Sequence, residues 1–230
     1  MPTRPLSLQP GNDPSAADLE RLSRQLYIEG PLLFRKMMHY RIRICPYERL
    51  ISHVPQAASV LDVGCGGGLF LGLLAGTGRC LTAVGFDASV PAIAAAQQMA
   101  EHARGIQIQA TMDFRRLSVE AAWPAGLFDV VSIIDVMHHV PPAAQRHLFE
   151  QAATHVAPQG ILLYKDMAPK PLLPALMNRL HDLVLARQWI NYLPVEKVES
   201  WAKPLGLTLI HSERVRRLWY LHDLRVFRKL

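Results

Sequence analysis

The sequence predicts an α/β fold, a doubly wound Rossmann-like sheet, and three observations carry that prediction. Residues 60–63 (VLDV) are a short apolar run with β-branched residues, bounded by glycine, and read as a buried strand. Gly64-Cys65-Gly66-Gly67-Gly68 then turns the chain, and 69–75 reads as the start of a helix. A second apolar run, 81–86, ends on Asp87, 23 positions after Gly64. Strand, glycine turn, helix, strand and acid form a nucleotide-binding βαβ unit. Glycine lets the backbone approach a ligand where a Cβ would clash. The helix start presents unpaired N–H groups to a carboxylate or phosphate, and the acid is placed to accept both hydroxyls of a ribose.

A dinucleotide site requires G-x-G-x-x-G/A, and counting from Gly64 puts Leu69 at the third position. The glycines present, Gly64, Gly66 and Gly68, give G-x-G-x-G preceded by Asp62. That pattern, with its VLDVGCGGG wording, resembles motif I of the class I S-adenosylmethionine (SAM)-dependent methyltransferases. The resemblance implies that the loop, through Asp62, Gly64, Cys65, Gly66 and Gly68, cradles the methionine half of SAM, while Asp87, next to Ala88, holds the ribose. It covers roughly residues 31–228 and is most specific over 59–89. It implies a seven-stranded sheet, mostly parallel with an antiparallel last strand, in one domain over 13–230.

Residues 1–12 hold three prolines and no periodicity, and are expected to be a loose leader. Asp13-Pro14 reads as N-cap and first position of a helix whose face carries Leu19, Leu22 and Leu26 and which Gly30-Pro31 ends. Residues 32–44 (LLFRKMMHYRIRI) form a second helical stretch stopped by Pro46, so 13–55 is a helical N-terminal section. Its basic residues alternate with Phe34, Met37, Met38 and Tyr40, which suits either a membrane surface or a greasy substrate, or packing on the core with the arginines in water. Residues 90–103 are alanine-rich and helical, opened by Ser89 and Pro91 and ended near Gly105; 106–110 reads as a third strand. The resemblance places the adenine contact in the turn after it, with Met112 stacking on the ring and Asp113 accepting from the exocyclic amine. Residues 128–134 (FDVVSII) are a fourth strand, buried on both faces. It runs into Asp135, assigned with the cofactor, and then His138 and His139. FDVVSIIDVMHHVP resembles the fourth-strand motif of small-molecule methyltransferases, including those of quinone biosynthesis. The N/D-P-P-Y/F signature of base and glutamine amino methylation is missing, as is the nucleophilic cysteine of the 5-methylcytosine enzymes. A helix over 142–155 and a fifth strand over 161–164, ending in Lys165-Asp166, follow. Residues 167–193 exceed a plain connection and read either as a cap over the acceptor, with an apolar helix at 172–189, or as an ordinary packing helix. A short helix follows Pro194, and the resemblance implies an antiparallel pair over 207–227.

Half of the 230 residues are hydrophobic and 19% charged, enough for a core and far from disorder. No apolar run approaches the roughly 20 residues of a membrane span, and no charged-then-apolar signal segment opens the chain. The three cysteines, Cys45, Cys65 and Cys80, show no metal spacing, so no metal is expected and a reducing compartment is. The expectation is a cytoplasmic protein, with peripheral contact at the inner face of a membrane as the variant. Net charge is +6, which fits nucleic acid, an anionic surface, an acidic substrate or a solvated arginine-rich exterior. The basic residues are scattered without an RNA-binding signature, which disfavours nucleic acid.

Ligands of open α/β sheets lie outside the carboxyl ends of the strands. A sulfonium methyl is already electrophilic, so the protein has to align the acceptor and, for a hydroxyl, remove its proton. His138 or His139 supplies a base that titrates near neutrality. Adjacent residues past a strand point differently, so one of them faces the acceptor; the family pattern favours His139. Asp166 either orients a histidine, holds an acceptor hydroxyl or caps the next segment. Lys165 is expected to face solvent. The leading function is methyl transfer from SAM, giving S-adenosylhomocysteine (SAH), to oxygen or carbon of a small hydrophobic or aromatic acceptor. The alternatives are an RNA methyltransferase and a non-catalytic SAM-binding scaffold.

Overall fold

The computed structural model describes residues 13–168 and 191–230. The leader expected over 1–12, the helix expected over 172–189 and most of the expected cap lie outside the described residues. Seven strands form one sheet in the order β3-β2-β1-β4-β5-β7-β6, and contacts cluster into two compact units divided at Pro124/Ala125.

In the first unit, α1 (Ala16–Leu26) opens on Ser15, whose hydroxyl accepts from the Asp18 N–H while the Asp18 carboxylate reaches back to the Ser15 N–H. This capping box displaces the expected start at Asp13-Pro14, because serine followed three residues later by an acid satisfies two helix-end donors at once. Asp13 pairs instead with Arg79. Leu19, Leu22 and Leu26 are buried as expected, and α2 (Leu32–Ile44) and α3 (Tyr47–Ser52) follow. The nucleotide-binding unit takes its expected form as β1 (Ala58–Val63), α4 (Leu69–Gly76) and β2 (Cys80–Asp87). β1 and β2 pair in parallel, with Asp62 opposite Gly85 and Val63 opposite Phe86. Val60, Leu61, Val63, Leu71, Leu73 and Phe86 are completely buried.

The third strand differs from expectation. After α5 (Val90–Gly105), Gln107 takes φ +65 and the Ile108 N–H donates to the Ala103 carbonyl. The alternating IQIQA segment is therefore spent on ending the helix, and β3 starts later, at Thr111–Arg116. Met112 and Asp113 thus lie inside the strand, opposite Ala83 and Val84, rather than in a turn after it.

In the second unit, β4 (Phe128–Ile134) pairs in parallel with β5 (Val156–Met167), and α6 (Pro142–Thr154) connects them. After α7 (Val195–Ala202) come β6 (Leu207–Arg217) and β7 (Tyr220–Lys229). β7 pairs antiparallel with both β5 and β6, so the last strand runs against its neighbours as expected. Phe149 of α6 packs edge-on against Phe227 of β7. No helix among the described residues is long and apolar enough to cross a membrane.

Candidate active site

In the first unit the glycine loop lies between β1 and α4. Gly66 takes φ +54 and has no atom within 4 Å of where a Cβ would stand, so open space lies over the loop. Its N–H donates to Asp87 Oδ2 at 3.0 Å, and Asp87 Oδ1 accepts from the Ser89 N–H at 2.8 Å. Each carboxylate oxygen has two lone pairs, so both can still accept a hydroxyl. Gly68 takes φ +78 at the start of α4, and a Cβ there would meet the Phe114 ring at 2.8 Å. Only glycine satisfies both constraints.

Asp62 is buried in β1, and Cys65 is buried under the loop. Burial pushes the Cys65 thiol well above the usual thiol range, and the Asp62 and Asp87 carboxylates add to this. The thiol thus packs as a small neutral group and is not a nucleophile. Ala88 is exposed just past β2. Asp113 pairs with Arg115 at 2.7 Å. The β3 residue opposite Asp87 is Arg116, followed by Leu117, whose N–H donates to the Asp87 carbonyl at 3.1 Å. Met112 and Asp113, expected in the turn after the third strand, therefore lie within β3, whose end is at Arg116.

One contact at the loop has no signal in the motif. The Tyr27 hydroxyl, at the end of α1, donates to the Gly67 carbonyl at 2.7 Å, and a Cβ on Gly67 would stand 2.6 Å from Phe34 Cζ of α2. The Gly68 N–H of the same peptide donates to the Cys65 carbonyl at 2.9 Å. The one glycine peptide is thereby held at both ends, which limits the flipping that a run of glycines otherwise allows.

In the second unit, Asp135 follows β4 with φ +57, and Met137–His139 make a single 3-10 turn. The two histidines diverge: His138 is 2% exposed, His139 is exposed, and their rings lie 4.0 Å apart. Asp166, at the end of β5, holds the turn. Its Oδ1 meets His138 Nδ1 at 2.5 Å and accepts from the Met167 N–H at 2.7 Å, and its Oδ2 accepts from the His138 N–H at 3.2 Å. The Gln145 side chain donates to the Met137 carbonyl at 2.9 Å from the other side. Asp166 thus contacts His138 rather than His139, and it also accepts from the backbone N–H of the residue that follows it.

Lys165 departs from expectation. It is fully buried, and its ammonium donates to both oxygens of Asp135 at 2.6 and 2.7 Å. Ladder pairing of Ile134 with Lys165 brings the two together, and a buried ammonium persists only with such a counter-charge. Asp135, His138 and Asp166 each offer a donor atom within 4.8 Å of the others. Lys165 already places a cation against Asp135, so the set suits a metal ion poorly. The loop, with its open space, its glycine cradle and an acid holding free lone pairs, does fit SAM.

A family model described as a methyltransferase domain matches residues 33–212. Among curated relatives, the ubiquinone biosynthesis O-methyltransferase of Albidiferax ferrireducens is 28% identical over 223 residues, covering 91% of this chain and 81% of that relative. The protein of the same name from Xanthomonas axonopodis pv. citri is 34% identical over 164 residues, covering 67% of this chain and 64% of that relative. Among solved structures, the magnesium protoporphyrin IX methyltransferase of Synechocystis PCC 6803, with bound SAH, superposes with a TM-score of 0.65 at 17% identity, covering 91% of this chain and 93% of that one. That last likeness concerns the fold. The matched domain takes in the glycine loop, Asp87 and the His138–Asp166 turn alike, and the chain belongs to the methyltransferase domain family, as a class I SAM-dependent methyltransferase.

Proposed function

We propose that the protein methylates a hydroxyl oxygen of a small, lipid-soluble aromatic acceptor, with His138 as the base and Asp166 orienting it. The observation that carries this reading is the 2.5 Å contact between His138 Nδ1 and Asp166 Oδ1. A carboxylate only accepts, so Nδ1 carries the proton of the neutral ring and Nε2 keeps its lone pair. Nε2 then takes the hydroxyl proton as the oxygen reacts, and Asp166 stabilises the imidazolium that forms. Bound SAM supplies the electrophilic methyl. Gly66, Gly68 and Asp87 would hold it. Oxygen as the accepting atom is supported by the relatives' name, ubiquinone biosynthesis O-methyltransferase. A greasy acceptor is supported by α2, where Leu32, Leu33 and Met37 are exposed beside Lys36; the same residues suit contact with a membrane surface.

The test uses methyl-labelled SAM and a soluble catechol acceptor. His138→Ala is expected to lower turnover by about 10²–10⁴-fold, with SAM affinity by calorimetry nearly unchanged. His139→Ala is expected to retain most activity. Full turnover by His138→Ala would remove it as base, and transfer of label to nuclease-sensitive material instead would favour an RNA acceptor.

A further inference from the structure

The hairpin joining β6 and β7 breaks the rules of its own turn. Arg217 pairs with Tyr220, leaving a two-residue loop of Leu218 and Trp219. Leu218 takes φ +53 at the first loop position, a place where glycine is the usual choice and a bulky side chain is strained. Both residues point to water, Leu218 54% and Trp219 43% exposed. The Trp219 ring rests against Tyr220 at 5.7 Å between centroids, and Tyr220 in turn stacks on His222. The tip is therefore apolar, with its tryptophan set against the aromatic side chain that follows. Arg216 and Arg217 precede it directly, and Arg216 is exposed. Strain retained together with an exposed apolar tip marks an element kept for contact with something else.

Its position bears on what that is. Met167 pairs with His222, and the Ala168 N–H donates to the Leu221 carbonyl at 2.8 Å. The loop thus lies beyond the carboxyl end of β5, the strand end that carries Asp166. We propose that the Leu218–Trp219 tip docks on an anionic lipid surface, placing the Asp166 end of β5 toward the bilayer that holds a lipid-soluble acceptor. Tryptophan favours the headgroup level of a bilayer, leucine the acyl boundary below it, and arginines the lipid phosphates. The net charge of +6 favours the same surface. The docking rests on the lipid-soluble acceptor read above, but can be measured without turnover.

The experiment is flotation of the full chain with mixed phosphatidylcholine–phosphatidylglycerol vesicles, against pure phosphatidylcholine. Wild type is expected to float with the anionic vesicles only, and less so in high salt. Leu218→Gly/Trp219→Ser is expected to weaken flotation about tenfold. Its urea midpoint should not fall, because glycine removes the strain at φ +53. With a water-soluble catechol the double variant should turn over like wild type. Wild type that fails to float, or a variant that floats equally, overturns the proposal. So does a dimer in light scattering that the double variant abolishes without any vesicle binding, which would assign the tip to a second copy. Normal flotation without methylation of any phenolic acceptor would instead sink the proposed function and leave the docking standing.

Discussion

Lys165→Met tests the least expected feature of the second unit. The ammonium is fully buried and bound to both oxygens of Asp135. Removing one partner of a buried ion pair costs about 3–5 kcal/mol, because the other charge is left stranded. Asp135 keeps 17% of its side chain exposed, so water takes up part of that charge, and a loss of about 3 kcal/mol is expected. With a urea slope of about 2 kcal/mol/M, the unfolding midpoint should fall by about 1.5 M. Adding Asp135→Asn removes the stranded charge, and asparagine tolerates the φ of +57 at that position. The double variant is expected to regain more than half of the loss, since a neutral pair of similar volume is close to isoenergetic with a buried ion pair. A single variant within about 0.3 M of wild type in urea, or a double variant no more stable than the single, would refute the reasoning.

Gly66→Ala should cost about 1–2 kcal/mol for its left-handed backbone and lose SAM affinity by calorimetry, since its Cβ enters the open space over the loop. Gly67→Ala should instead dislodge Phe34, which lies 2.6 Å from its Cβ position; wild-type protease resistance of α2 in that variant would contradict this. Burial holds the Cys80 thiol at about 12 and the Cys65 thiol well above its usual range, so iodoacetamide at mildly alkaline pH should label both far faster in urea than in the native protein, as read by mass spectrometry. His39 is pushed below its unfolded value of 6.5, by burial first and then by Arg24 and Arg35. Its neutral ring therefore contributes stability above that pH, which is lost as pH falls through the folded value. His39→Gln should flatten the fall in urea midpoint between neutral and mildly acidic pH, and an unchanged slope would exclude this histidine.

The features legible in the sequence were those set by contiguous backbone. The spacing of Gly64, Gly66, Gly68 and Asp87 fixes a strand–turn–helix–strand whose geometry needs no distant partner, and β1, α4 and β2 follow it nearly residue for residue. The β3 error shows the limit of pattern. IQIQA alternates as a strand does, but it follows a 16-residue helix whose end must be satisfied, and Gln107 turns left-handed to do so. A period of two over five residues is too short to outweigh that demand.

What the sequence left open at the site depends on residues far apart in the chain. Tyr27 reaches a loop carbonyl 40 residues away, and no local pattern marks a tyrosine at a helix end as part of a cofactor loop. Lysine at a strand end reads as solvated until strand register sets Lys165 beside Ile134, next to Asp135. The choice between the histidines is of the same kind. His138 and His139 are equivalent as letters, and only the phase of a 3-10 turn decides which one faces inward. That phase is fixed by Asp166, 28 residues on, which binds both the backbone N–H and the ring of His138. One carboxylate thus selects the histidine, sets its tautomer and anchors the turn that presents it, so Asp166→Asn should disturb all three together. If His138 acts as proposed, a variant that keeps the turn but reverses the tautomer would lose activity while leaving the fold intact.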